Sequence, residues 1–127
     1  MSQKKGKKSV IFIVEDDVLL VKAYQAKFEK EKAEVWVASD GKEAFSFLKK
    51  ETPNIVLLDL MLPGASGFDI LEAIRKNDKW KKVPVIVLTN LGQLQDVERC
   101  KALGIDDYIV KANSKISDVA EKVKKYI

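Results

Sequence analysis

Short apolar runs alternate along the chain with segments in which apolar residues recur at every third or fourth position. A short apolar run bounded by turn residues predicts a strand, and the wider spacing predicts a helix with one buried face. The two patterns alternate five times. The predicted strands are Val10–Val14, Glu34–Ala38, Ile55–Leu58, residues 83–88 and Asp107–Val110, and the predicted helices cover residues 17–32, 41–50, 66–76, 93–103 and 115–127.

This alternation favours an α/β domain with a parallel sheet, right-handed crossovers and helices on both faces. We predict one doubly wound domain with a five-stranded parallel sheet over residues 9–127, preceded by a basic flexible tail over residues 1–8. Cap residues mark three helix starts. These are Asp17, Asp40 with Glu43 three residues later, and Ser114.

The fourth predicted helix has the weakest apolar stripe of the five. Leu94, Val97 and Leu103 are expected to face inward, and Gly104 ends the helix.

The net charge of +4 comes from the tail. Without Lys4, Lys5, Lys7 and Lys8, the basic residues of the chain equal the 19 acidic residues in number. We interpret these lysines as part of a solvated, disordered segment. Contact with nucleic acid or an acidic surface is the alternative, but no aromatic residue in the tail supports it.

Composition excludes several kinds of site. The chain has no histidine, which excludes a His-based zinc site, a Ser-His or Cys-His nucleophile and a phosphohistidine carrier. Its one cysteine excludes an internal disulfide. Cys100 lies in the middle of a predicted helix, and we expect a packing residue and not a redox thiol. No apolar run has the length of a membrane span, and the N-terminus lacks the pattern of a signal peptide. We therefore predict a cytoplasmic protein with no membrane partner.

Polar residues stand where four of the predicted strands end. They are Glu15 and Asp16 after the first strand, Asp59 after the third, Thr89 after the fourth and Lys111 after the fifth. Ligands bind at this edge of open α/β sheets. Carboxylates that meet there would repel one another, and Mg²⁺ would remove that conflict. A carboxylate beside Mg²⁺, with a lysine and a hydroxyl nearby, can accept a phosphoryl group.

The chain resembles the receiver domain of two-component response regulators over residues 9–127. The resemblance implies a flavodoxin-like sheet with strand order 2-1-3-4-5. The matching motifs are Val14-Glu15-Asp16-Asp17, the stretch from Leu58 through Asp59, Pro63 and Gly64 to Gly67, Val87-Leu88-Thr89, and the stretch from Asp107 to Lys111.

The resemblance also implies a role for each site residue. Asp59 would be the phosphoacceptor. Asp16, Asp59 and the backbone carbonyl of Met61 would bind Mg²⁺, with Mn²⁺ as a substitute, and Glu15 would act mainly through water. Thr89 and Tyr108 would form the switch pair that responds to the phosphoryl group.

The implied phosphoryl donor is a histidine kinase, a histidine phosphotransfer protein or a small phosphodonor. The implied output is a downstream protein that binds the face of the fourth helix, fifth strand and fifth helix. We expect a monomer or weak dimer without a DNA-binding domain. The chain would catalyse its own phosphorylation and dephosphorylation, and no turnover enzyme is expected.

Two residues near the site, Asn90 and Ala112, differ from the family pattern. Asn90, Met61 and Leu91 are expected to affect how long the phosphoryl group stays bound. Asn90 stands where the family usually has a small residue, so it could narrow the path to Asp59 or hydrogen-bond to the phosphoryl group. Ala112 replaces a common proline, which leaves the isomer of the Lys111–Ala112 peptide bond open. Met61 and Leu91 are apolar and cannot orient a hydrolytic water, so we expect slow loss of phosphate.

Three other functions compete with this interpretation. A haloacid dehalogenase-like phosphatase would need a second aspartate two residues after the nucleophile, where this chain has Met61. A flavodoxin would bind a flavin phosphate after the first strand, where Glu15, Asp16 and Asp17 would repel it. A pseudo-receiver that is folded but not phosphorylated is the remaining alternative.

Overall fold

The computed structural model describes residues 8–127. The predicted basic tail therefore lies outside the described residues, apart from Lys8. Within the described range, no helix is long and apolar enough to span a membrane. The elements are β1 Val10–Val14, α1 Val18–Lys30, β2 Glu34–Ala38, α2 Gly41–Phe47, β3 Ile55–Leu58, α3 Gly67–Lys76, β4 Val85–Thr89, α4 Leu94–Leu103, β5 Asp107–Val110, a 3-10 turn Lys111–Asn113 and α5 Ile116–Lys124.

The five strands form one parallel sheet in the order β2-β1-β3-β4-β5. The predicted fold class and strand order are confirmed. All strand ends that carry candidate chemistry therefore lie at one edge of the sheet, because parallel strands share one direction.

Each face of the sheet contributes to a separate core. Alternate side chains of β1, β3 and β4 point to opposite faces, as a period of two requires. One core packs the sheet against α2, α3 and α4, and the other packs it against α1 and α5. The central strands are buried on both faces, which explains why their sequences are continuous apolar runs.

Local hydrogen bonding confirms two of the predicted caps. The carboxylate of Asp17 accepts from the backbone N–H groups of Leu19 and Leu20, and that of Asp40 accepts from Glu43. The third cap was wrong: Lys115 is the residue that precedes α5. Ser114 instead donates its N–H to the carbonyl of Lys111, which closes the 3-10 turn.

The second helix ends at Phe47 and not near residue 50. Just after the helix, the N–H groups of Lys49 and Lys50 donate to the carbonyls of Ser46 and Phe47, three residues back, so the chain tightens into turns there.

Packing of α4 corrects one prediction and supports another. Leu94, expected to face inward, is 71% exposed. Only Cys100 of this helix is fully buried, and Leu94 lies six residues before it, which is a rotation of about 120° around the helix axis. Residues spaced three apart rotate gradually around a helix with 3.6 residues per turn, so Leu94 no longer faces the core when Cys100 does. With one fully buried residue, α4 has fewer than any other α-helix, which agrees with the weak stripe predicted for it.

Trp80 lies in the connection between α3 and β4 but is completely buried. Its indole N–H donates to the carbonyl of Lys50 at 3.3 Å, and its ring meets that of Phe12 edge-on at 5.8 Å. Nearby, the guanidinium of Arg75 donates to the carbonyls of Gly104 at 2.7 Å and Val83 at 2.8 Å. Two side chains therefore fix the connections at the edge of the sheet opposite the candidate site.

Replacing Trp80 with alanine should lower the free energy of unfolding by about 3–5 kcal/mol, since a large buried ring is removed. Urea denaturation followed by circular dichroism measures this. Trp36 is only partly buried on the edge strand β2, so Trp36→Ala is the matched control and should lower the free energy of unfolding by less. Equal losses in the two variants would contradict the structural role assigned to Trp80.

Candidate functional site

The register of β1 and β3 places two acidic residues side by side. Val14 pairs with Leu58, so Glu15 and Asp59 are the next residues on neighbouring strands. The backbone N–H of Asp59 donates to the carbonyl of Val14 at 3.0 Å. Both acids are buried, because flanking strands and loops cover them.

Asp16 completes an acidic cluster at this edge. One carboxylate oxygen from each of Glu15, Asp16 and Asp59 lies within 4.8 Å of the others. Asp16 is exposed, which leaves the cluster open to solvent on that side. A donor set made only of oxygens, with access for water, fits a hard divalent cation such as Mg²⁺.

Lys111 holds the two buried acids together. Its ammonium lies 2.7 Å from a carboxylate oxygen of Asp59 and 2.5 Å from one of Glu15. Burial lowers the pKa of Lys111, but hydrogen bonds to these acids and their charges outweigh burial, so its pKa is raised. The lysine therefore stays charged at neutral pH.

Burial also raises the pKa of Glu15, and the charge of Asp59 adds to this effect. Lys111 and the N–H of Asp17, which donates to Glu15 at 3.0 Å, act in the opposite direction. Because the net shift is upward, the folded state resists ionisation of this acid. A cation in the cluster would favour ionisation.

Thr89 and Tyr108 are linked through one residue of the loop after β4. The Thr89 side chain is fully buried, and its hydroxyl accepts from the N–H of Leu91 at 3.3 Å. The Tyr108 hydroxyl donates to the carbonyl of the same residue. Burial, followed by several nearby charges, raises the pKa of Tyr108 to about 12. The two predicted switch residues thus contact a common backbone segment.

The loop after β3 is fixed by its backbone. The N–H of Met61 donates to the second carboxylate oxygen of Asp59 at 3.0 Å, and the N–H of Gly67 donates to the carbonyl of Leu60 at 3.0 Å. A Cβ atom at Gly67 would lie 2.4 Å from the carbonyl oxygen of Asp59, so only glycine fits. The side chain of Met61 is 54% exposed beside the site.

The two departures from the family pattern contact each other. The amide oxygen of Asn90 accepts from the backbone N–H of Ala112 at 3.1 Å. The Lys111–Ala112 bond is trans, as are all peptide bonds from residue 8 onward. The expected alternatives for Asn90, a narrowed path or a bond to the phosphoryl group, did not include this contact.

The structure therefore brings Glu15, Asp16, Asp59 and Lys111 into one cluster, while Thr89, Leu91 and Tyr108 form a second, linked group. Sequence reasoning missed Tyr24 as a neighbour of the acidic cluster. Tyr24 lines a small cavity together with Glu15 and Asp59. Burial, and then the charge of Glu15, raise the pKa of Tyr24 to about 12. The apolar spacing of the first helix accounts for the burial of Tyr24, but no local signal indicates which strand end it approaches.

Known proteins are similar to this chain in sequence and in fold. The family model described as the response regulator receiver domain matches residues 11–124. A probable transcriptional regulator, ycf27 of Cyanophora paradoxa, is 35% identical over 104 residues, which are 82% of this chain and 42% of that protein. The chain thus spans less than half the length of this curated relative.

Two solved structures are similar to the chain throughout. The phosphorylated cyanobacterial phytochrome response regulator RcpA is 28% identical with a TM-score of 0.82, over 94% of this chain and 91% of its own. The Mn²⁺-bound form of response regulator Rcp1 is 29% identical with a TM-score of 0.80, over 92% and 90%.

The match covers almost all of the described residues and includes every strand end that carries the acidic cluster and its lysine. The chain belongs to the response regulator receiver domain family of two-component signalling.

Proposed function

We propose that the chain is a phosphorylation switch in which Asp59 accepts a phosphoryl group. One observation carries the proposal: Asp59 is a buried acid at the end of a central strand, 2.7 Å from a lysine and beside two further acids. The donor would be the phosphohistidine of a histidine kinase or phosphotransfer protein, or a small phosphodonor such as acetyl phosphate. Receiver-domain family membership supports this choice of donor.

In the proposed reaction, a carboxylate oxygen of Asp59 forms a bond to phosphorus. With phosphohistidine as donor, the phosphorus–nitrogen bond breaks; with a small phosphodonor, a phosphorus–oxygen bond breaks. In both cases the leaving group keeps the electron pair of the broken bond. Lys111 stabilises the charge that develops on the phosphoryl oxygens.

Residues already in the acidic cluster would hold a divalent cation. Asp16, Asp59 and the backbone carbonyl of Met61 would bind Mg²⁺ or Mn²⁺ directly, with Glu15 acting through water. The bound cation would supply positive charge next to the phosphoryl oxygens. The Mn²⁺-bound relative supports this assignment by similarity.

The switch would pass through Thr89 and Tyr108. The Thr89 hydroxyl accepts from the N–H of Leu91. It would turn to donate to a phosphoryl oxygen, and that movement would release this part of the loop. The Tyr108 hydroxyl bonds to the same residue, so its ring would move with the loop. Thin packing of α4 supports a change confined to α4, β5 and α5. A downstream protein would read that face.

Addition of beryllofluoride, a phosphoryl mimic, with Mg²⁺ should shift amide NMR signals around Asp59, Thr89 and Tyr108. Asp59→Asn should abolish these shifts, because the mimic needs the carboxylate. Without Mg²⁺ the wild type should not respond. The assignment of Asp59 would be wrong if shifts of the same size persisted in the variant.

Lys111→Met should lower the free energy of unfolding by about 2–4 kcal/mol at pH 7, because two buried carboxylates lose their cation. Burial already raises the pKa of Glu15, and loss of the lysine would raise it further. A raised carboxyl pKa contributes stability that is present at low pH and is lost as the pH rises through the folded-state value, so the deficit should shrink at acidic pH. Urea denaturation at several pH values measures it.

Millimolar Mg²⁺ should recover part of the stability lost in Lys111→Met, since a cation that binds the folded state stabilises it. Exposed Lys42, which forms no ion pair within the described range, provides the control variant Lys42→Met. If the two variants were equally stable at pH 7, Lys111 would not be the counter-ion of the cluster.

Replacing Met61 with asparagine and Leu91 with glutamate should speed loss of phosphate about three- to thirtyfold, because polar groups can orient the attacking water. Decay of phosphorylated protein in Mg²⁺ buffer after removal of the donor measures the rate. Met61→Leu keeps an apolar side chain and should leave the rate unchanged. An unchanged rate in the polar double variant would contradict slow hydrolysis by water exclusion.

A further inference from the structure

The hydrogen bond between Asn90 and Ala112 joins the two loops that carry the proposed phosphoryl contacts. Asn90 directly follows Thr89, and Ala112 directly follows Lys111. The bond is 3.1 Å long and connects residues 22 positions apart. Any displacement of one loop relative to the other must therefore stretch or break it.

The side-chain bond of Asn90 follows directly after the backbone hydrogen bonds that pair β4 with β5. The last paired residues of β4 and β5 are Thr89 and Val110. Beyond them the chain leaves the sheet and enters the 3-10 turn Lys111–Asn113, where no further strand pairing is possible. The side chain of Asn90 accepts the N–H of Ala112 at this point, so the two chains stay joined past the end of the sheet.

Few other contacts fix the backbone of this turn. Its own closing bond, from the N–H of Ser114 to the carbonyl of Lys111, is 3.2 Å long. Ala112 and Asn113 are exposed, and exposed turns with few contacts open most easily. Yet Lys111 begins the turn, and its ammonium must lie between Glu15 and Asp59.

We propose that Asn90 is a positioning residue for Lys111. By holding the N–H of Ala112, it keeps the start of the 3-10 turn in the place from which Lys111 reaches Asp59. Small displacements of a charged group cost much of its effect on a reaction, so this backbone contact should affect the rate of phosphoryl uptake. The inference rests on the proposed function of Asp59.

The test compares Asn90→Ala, which removes the acceptor, with Asn113→Ala. Asn113 is exposed in the same turn and makes no side-chain hydrogen bond with any residue the structure describes. Asn90→Asp retains an acceptor oxygen and serves as the conservative variant. Three quantities are measured: amide hydrogen exchange at Ala112, the Lys111 side-chain ammonium NMR signal with Mg²⁺ and beryllofluoride, and the rate of phosphorylation by acetyl phosphate.

We expect Asn90→Ala to speed exchange at Ala112, broaden the Lys111 signal and slow phosphorylation roughly two- to tenfold, which is the range for loss of one hydrogen bond. Asn113→Ala should change none of these, and Asn90→Asp should keep Ala112 protected. Melting temperatures of the three variants should agree, which separates positioning from a general loss of stability.

Unchanged exchange at Ala112 in Asn90→Ala would overturn the proposal, because the bond would not protect this amide. Faster exchange with an unchanged Lys111 signal and phosphorylation rate would also overturn it, as would faster phosphorylation, which would indicate that Asn90 obstructs access. Failure of the proposed function gives a different result: the wild type itself would show no Mg²⁺-dependent response that Asp59→Asn abolishes.

Discussion

Two carboxylates meet at the ends of β1 and β3, and the rest of the site follows from how their repulsion is relieved. The parallel register leaves no freedom here, since Val14 pairs with Leu58 and the next residue on each strand is an acid. Lys111 reaches between the acids from β5, two strands away from β3. Burial makes this arrangement costly to break, because without Lys111 both acids would be buried charges with no cationic partner.

The same repulsion explains why the cluster suits a divalent cation. Burial above all, and then the charge of Asp59, raises the pKa of Glu15 despite the hydrogen bond from Lys111. Additional positive charge would therefore be favourable, and Asp16 offers an exposed ligand where solvent has access. The stability of the fold and the affinity for a cation therefore both depend on how the charges of Glu15 and Asp59 are compensated.

Much of the fold could be predicted because it depends on local patterns. The central strands are buried on both faces, so each is an unbroken apolar run, and parallel strands bring their ends to one edge. Asp17 and Asp40 cap their helices by short-range bonds that neighbouring residues determine. The acidic cluster was predictable for the same reason, since strand ends identify which side chains meet.

Contacts between distant loops were not predictable in this way. The bond from Ala112 to Asn90 depends on how two loops diverge after the sheet ends. The burial of Trp80 depends on a carbonyl 30 residues away, at Lys50. Leu94 and Cys100 lie on different sides of the helix, so Leu94 points outward when Cys100 is buried. The sequence pattern does not indicate which of the two faces the core.

Arg75 has a mechanical consequence for α4. The arginine holds the carbonyl of Gly104, so it anchors the end of the helix farthest from the acidic cluster. The other end begins at exposed Leu94 and no side chain caps it. A helix of ten residues is about 15 Å long, so a rotation of about 10° around the anchored end would move its tip by about 2.6 Å. A shift of the loop after Thr89, which leads into this uncapped end, would therefore tilt the helix about Gly104 and move its first turn most.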